Sequence, residues 1–228
     1  MQARHLLATL VVVLAVVAFV GAAATATAGR TCVTATRAGG YSYAGYQAAS
    51  RGHGIRATIT LTRAPSVAAG HVAGWVGVGG QRQGANGGDA WLQAGVAAVR
   101  GLGTVLYAEI TREGRDRKLV LVDDSVRVGR AYRIAVRAVA GRSGWWQVWV
   151  DGEAVTEQIR MPGRWAPIAT AESWNGGTSA CNDFAFRFDR VAVAGEEGSW
   201  RPFVSGHRFL DGTHRLRGHP AAFVASSS

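Results

Sequence analysis

An antiparallel all-β sandwich or jelly roll is the fold class that this 228-residue sequence predicts. Three observations carry it: apolar residues recur with a period of two, turn signals recur at short intervals, and helical spacing is absent after residue 28. "IRATITLT" sets Ile55, Ala57, Ile59 and Leu61 against Arg56, Thr58, Thr60 and Thr62, and "YRIAVRAV" and "FAFRFDRVAV" repeat the pattern. Between such runs stand "RGHG", "GGQRQGANGGD", "REGRDR", "AGRSG", "VDGE" and "WNGG". The Asp151-Gly152 pair after "WWQVWV" marks a hairpin, because a type I′ turn needs positive φ at both central residues. Residues 205–219 are basic and rich in His, and they read as a loop before a last strand around "AAFVA". Neither an internal repeat nor a second domain is visible, so residues 29–228 are expected to form one domain.

The first 28 residues have the layout of a secretory signal. Arg4 and His5 precede an apolar run, Leu6 to Ala24, which decays into "ATATAG" with Ala26 and Ala28 suited to a cleavage point before Gly29. An uncleaved anchor is the weaker alternative, since no charged stop-transfer cluster follows directly. The expected mature protein is therefore secreted, monomeric and free of the membrane. In that oxidising setting Cys32 and Cys181 are expected to form one disulfide, with two free thiols as the alternative. Closing so long a loop stabilises a fold by up to about 5 kcal/mol in the chain-entropy model.

The formal net charge is +10, and loss of Arg4 with the leader makes it +9. Lys118 is the sole lysine, so the excess is carried by arginines scattered through strands and turns. Scatter fits solvated faces, although an excess of this size still attracts acidic polymers. With no basic helix, zinc knuckle or clustered basic and aromatic platform in the sequence, specific nucleic-acid recognition is not expected.

Strand alternation indicates what each face carries. In "HVAGWVGVGG" Val72, Val76 and Val78 point to the core, while Trp75 shares the other face with Ala73, Gly77 and Gly79. In "WLQAGVAAV" the core row is Leu92, Ala94, Val96 and Ala98, opposite Trp91, Gln93, Gly95 and Ala97. "LYAEIT" separates Leu106, Ala108 and Ile110 from Tyr107, Glu109 and Thr111; "ATAESW" groups Thr170, Glu172 and Trp174 opposite Ala169, Ala171 and Ser173. A face that mixes aromatics, glycines and isolated polar groups suits a ligand groove, because small residues leave room and aromatics supply contact area. Taken one strand at a time, Gln93 and Glu172 read as ordinary outward polar residues; the agreement of four strands favours the groove.

"YAGYQ", "WVGVGG", "WLQAGV", and "ATAESWNGG" through "CNDFAFRF", in that order, resemble the glutamic peptidases, or eqolisins, and their bacterial relatives from Tyr41 to Phe203. The resemblance implies a concanavalin A-like sandwich and a catalytic dyad of Gln93 and Glu172, an amide and an acid meeting across neighbouring strands. It implies hydrolysis of a protein or peptide substrate by direct attack of water, with Glu172 as base and then acid and Gln93 holding the oxyanion. Tyr107 and Glu109 would orient the dyad, and Trp75 and Trp174 would line the substrate groove. Secreted fungal members carry Trp directly after the "AE" pair, where this chain has Ser173 before Trp174, and they are acidic where this chain is basic. A lectin-like module that binds peptide or glycan in the same groove without cleaving it is the alternative.

Other chemistries fit less well. A glucanase needs a close carboxylate pair, and Glu109 and Glu113 are four apart but run into the turn at Gly114. No GxSxG elbow is present. His207, Asp211, His214 and His219 match no zinc spacing and read as surface residues, so neither a metal nor any other cofactor is expected. "GVGGQRQGANGG" lacks the helix and lysine of a phosphate loop and reads as a mobile rim loop.

Overall fold

The structure, a computed structural model, describes residues 40–163, 165–212 and 214–227. The expected leader and Cys32 lie outside these residues, so the cleavage point and the Cys32–Cys181 pairing stay expectations. No helix occurs among the described residues. In chain order the strands are β1 (Tyr41–Gln47), β2 (Gly54–Ser66), β3 (His71–Gly80), β4 (Ala90–Val99), β5 (Gly103–Thr111), β6 (Lys118–Asp123), β7 (Ala131–Ala138) and β8 (Trp145–Val150). There follow β9 (Glu153–Ala154), β10 (Ile159–Arg160), β11 (Pro167–Trp174), β12 (Asp183–Ala194), β13 (Trp200–Pro202), β14 (His207–Leu210), β15 (Arg215–His219) and β16 (Ala222–Ser226).

These strands make two antiparallel sheets, as the period-two pattern predicts. One has seven strands in the order β14-β1-β11-β3-β4-β5-β6. The other has nine, along the path β10-β8-β7-β2-β12-β16-β15, with β13 on β12 and β9 on β8. One row of each strand points between the sheets: Leu92, Ala94 and Val96 from β4 meet Ile55, Ile59 and Leu61 from β2 and Phe184, Phe186 and Phe188 from β12 in a single apolar cluster. Burial of this two-sided core supplies the main drive to fold.

Two local features follow from backbone chemistry. Asp151 (φ 51°) and Gly152 (φ 98°) form the expected type I′ turn that pairs Val150 with Glu153. Gly74 occupies a core position of β3 where a side chain cannot fit, because a Cβ there would lie 2.6 Å from ring atoms of Phe186. The valines on either side leave that gap, and the phenyl ring fills it.

Three expectations are corrected. Residues 205–219 are not a loop: β14 extends one sheet beside β1, and β15 extends the other beside β16. Each is a short edge strand with mostly exposed polar residues, so its apolar alternation is too brief to register. His214 is not a surface residue. Its Nε2 lies 2.7 Å from Ser42 Oγ and its ring meets Phe184 edge-on at 5.0 Å; burial holds its pKa below the ordinary histidine range. The glycine-rich rim loop is tied down, because the Glu113 carboxylate accepts hydrogen bonds from the backbone N–H of Asn86 (2.9 Å) and Gly88 (2.7 Å).

Gly74→Ala is expected to destabilise the fold by about 1–3 kcal/mol through overpacking against Phe186. Urea unfolding of the variant checks this, and adding Phe186→Leu should recover part of the loss as a non-additive coupling.

Candidate active site

The outer face of the seven-stranded sheet, turned away from the main core, carries a second and smaller apolar cluster of Ala73, Trp75, Ala97, Val105 and Tyr107, with Tyr43 and Ile168 packed against it. Its backbone floor is low. Gly77 opposes Gln93 and Gly95 opposes Trp75, so the long side chains lie over glycine rather than over other side chains. Gly95 is required by that close approach, since a Cβ would lie 2.1 Å from the Gly74 carbonyl oxygen.

All six residues singled out in the sequence reach this face. Glu172 on β11 is only 7% exposed and Gln93 on β4 only 8%, so each polar group needs a partner. Glu172 Oε1 lies 2.8 Å from His71 Nε2, and its Oε2 accepts a hydrogen bond from Trp75 Nε1 at 3.3 Å. Gln93 Nε2 donates to the Tyr107 hydroxyl and to Glu109 Oε2, each at 3.3 Å. Glu109 Oε1 in turn accepts from Trp91 Nε1 at 2.9 Å and faces Arg117 Nε at 3.3 Å. Trp174 stacks on Tyr41 with ring centroids 5.9 Å apart and lies 5.5 Å from the His71 ring.

The expectation of neighbouring strands for Gln93 and Glu172 is corrected, because β3 runs between β4 and β11. Their partners on β3 are Gly77 and Ala73, which stand roughly 13 Å apart along the strand. Trp75 lies midway between those partners on the same face. Its indole reaches Glu172, and Tyr107, whose strand partner Gly95 is also Trp75's, reaches Gln93. The amide and the acid thus flank a patch built from Trp75 and Tyr107.

Electrostatics couple the two ends. Burial, then the negative charges of Glu172 and Glu109, push the Tyr107 hydroxyl well above the ordinary phenol range, so it stays protonated. Burial also raises Glu109, against the pull of Arg117 and the Trp91 hydrogen bond, with Glu172 adding to the rise. Burial and then Glu172 raise Tyr41 as well. The face therefore holds two carboxylates in competition for few cationic partners. No group of three or more His, Cys, Asp or Glu side chains suited to a metal occurs among the described residues.

Sequence reasoning missed His71, Tyr41 and Arg117. His71 shares its alternation row with Ala73 and Trp75, so its face was readable from the same strand. Tyr41 and Tyr43 share the row of Gly45 on β1, which pairs with β11. Arg117 sits just before β6 and reaches Glu109 across a turn, which no periodicity reports.

No family model matches the chain, and no curated protein matches it by sequence. Among solved structures it resembles scytalido-glutamic peptidase bound to a peptide-based transition state analogue, with TM-score 0.62 and 14% identity over 82% of this chain and 98% of that one. It also resembles SCP-B, a member of the eqolisin family of peptidases in complex with the tripeptide Ala-Ile-His, with TM-score 0.58, 15% identity and the same coverage of both chains. The resemblance read in the sequence is thus matched in three dimensions, and the chain has the β-sandwich fold of the glutamic peptidase structures.

Proposed function

We propose that this protein is an endopeptidase that cleaves peptide bonds by direct attack of water, with Gln93 and Glu172 as its catalytic pair. The observation that carries the reading is the placement of this buried amide and buried acid on one outward sheet face, over a glycine floor and beside Tyr107 and Trp75. That the two glutamic peptidase structures hold a peptide-based transition state analogue and a tripeptide supports a peptide as the ligand of this face.

The chemistry follows from what each group can do. Glu172, oriented by His71 and Trp75, takes a proton from water as it attacks the peptide carbonyl and returns it to the leaving nitrogen, a role worth ~10² to 10⁴ in rate. Gln93 does not titrate, and its amide N–H groups donate to the developing oxyanion. Its two present contacts are long at 3.3 Å, so a substrate oxygen competes for them. Tyr107 accepts from Gln93 and keeps its own proton, which makes it a second donor at the same place. Glu109 anchors the amide from the far side and Trp174 forms a wall of the groove. Secretion, removal of residues 1–28 and a Cys32–Cys181 disulfide belong to the same proposal.

A non-catalytic peptide- or glycan-binding module is the second reading, favoured by the continuous aromatic row of Trp174, Tyr41 and Tyr43. Such a row supplies binding area whether or not cleavage follows.

Incubation of the mature protein with an unfolded protein substrate over a pH series separates the two. Peptide release is expected, with a loss of at least about 10² in kcat for Glu172→Gln and ~10² to 10³ for Gln93→Ala, both variants folding normally. Absence of cleavage at every pH contradicts the peptidase and leaves the module; cleavage untouched by Glu172→Gln contradicts Gln93 and Glu172 as the catalytic pair.

Stability should also report the burial of Glu109. Its pKa is raised on folding, so above the ordinary carboxylate range the unfolded chain has lost a proton that the folded protein still holds. Stability therefore falls as pH rises through that window, up to the folded pKa. Urea unfolding across pH is expected to show a shallower fall for Glu109→Gln than for the wild type.

A further inference from the structure

Arginines scattered along the sequence converge on the outer face of the nine-stranded sheet, on the far side of the sandwich from Gln93 and Glu172. Arg56 on β2 pairs with Ala135 on β7, Arg133 and Arg137 flank that alanine along β7, and Trp149 on β8 opposes it. Arg190 joins them from the irregular part of β12, with φ of 53°, a backbone conformation that side-chain-bearing residues seldom adopt. Together with Trp200 these residues line an open groove of about 460 Å³. All four arginines are exposed.

Two of the guanidinium groups are held in place by aromatic rings. Arg56 lies over Trp200 and Arg137 over Trp149, each 4.7 Å from the ring centroid. A cation–π contact restrains a guanidinium and leaves N–H donors for a carboxylate or sulfate, which it can bind in a two-pronged hydrogen bond. Only Arg133 has a carboxylate partner here, Asp151 at 3.4 Å; Arg56, Arg137 and Arg190 make no ion pair among the described residues. Like charges clustered on one sheet face, with Asp151 the one carboxylate paired to them, weaken a fold. Trp149 Nε1, buried at the groove, has no acceptor in the protein. A cluster that costs stability and holds unspent donors is arranged for an anion from outside.

We propose that this groove binds an acidic polysaccharide, one bearing uronate or sulfate groups, and that it docks the protein on such a polymer independently of the peptidase reading. The arginines take the anionic groups, and Ala135 and the indole edges accept the C–H faces of the sugar rings. Single-stranded nucleic acid fits less well, because it relies on open aromatic faces for its bases and both tryptophan faces here carry a guanidinium.

The test uses the mature protein on immobilised polygalacturonate and on heparin, with dextran and single-stranded DNA as competitors. Retention on at least one acidic glycan is expected, weakened by salt, unaffected by dextran and little affected by DNA. The Arg56→Gln/Arg137→Gln double variant is expected to lose affinity about tenfold or more. Arg127→Gln/Arg208→Gln removes the same charge from exposed positions elsewhere and should change affinity by less than about threefold. Failure of the wild type to bind either glycan, equal loss in both double variants, or displacement by DNA at concentrations as low as those of free glycan would each overturn the proposal. Unchanged proteolysis in the Arg56→Gln/Arg137→Gln variant keeps this outcome distinct from that of the active-site experiments.

Discussion

Two carboxylates buried on a sheet surface impose the constraint from which the rest of the candidate site follows. Removing Glu172 and Glu109 from water costs free energy that hydrogen bonds and counter-charges must offset, and the chain supplies them from two strands, β3 and β4, and a turn. His71 and Trp75 hold one acid. Trp91, Gln93 and Arg117 hold the other. Because every donor but Arg117 is itself fixed in a strand, most of the polar groups are ordered before any ligand arrives, which is the property that lowers the reorganisation cost of a reaction.

The same sheet must also close a core on its other side. Strand alternation lets β3, β4, β5 and β11 do both, with valine, leucine and alanine facing inward and the aromatic and polar row facing outward. Glycine mediates between the two demands. Gly74 admits the Phe186 ring into the core, while Gly77 and Gly95 lower the outer floor. The outer face therefore shares its backbone with the core, and substitutions at these glycines act on stability and on the candidate site together.

The fold was legible because each of these strands is long enough to show its period. The same alternation placed Gln93, Glu172, Trp75, Tyr107, Glu109 and Trp174 on one face. It did not say which strands are adjacent, and so the intervening β3 and the diagonal separation of the amide from the acid became visible only with the sheet order. Arg117 acts from beside a turn and His214 from between two short edge strands, where no period exists to read. The arginine groove was hidden for a related reason: Arg56, Arg133, Arg137 and Arg190 are far apart in the chain and are gathered by the pairing of β2 with β7 and β12. What looked like dispersed solvated charge is a patch once the topology is known.

Under the proposed function a peptide lies across the outer face of the seven-stranded sheet, with its reacting carbonyl between Glu172 and Gln93. A crystal structure of the mature protein with a peptide-based transition state analogue tests this most directly. The tetrahedral centre is expected within hydrogen-bond reach of both the Glu172 carboxylate and the Gln93 amide, with Tyr107 donating to the same oxygen and Trp174 against the peptide. An analogue bound with its centre away from either side chain, or bound on another face, would contradict the assignment of this face as a catalytic site.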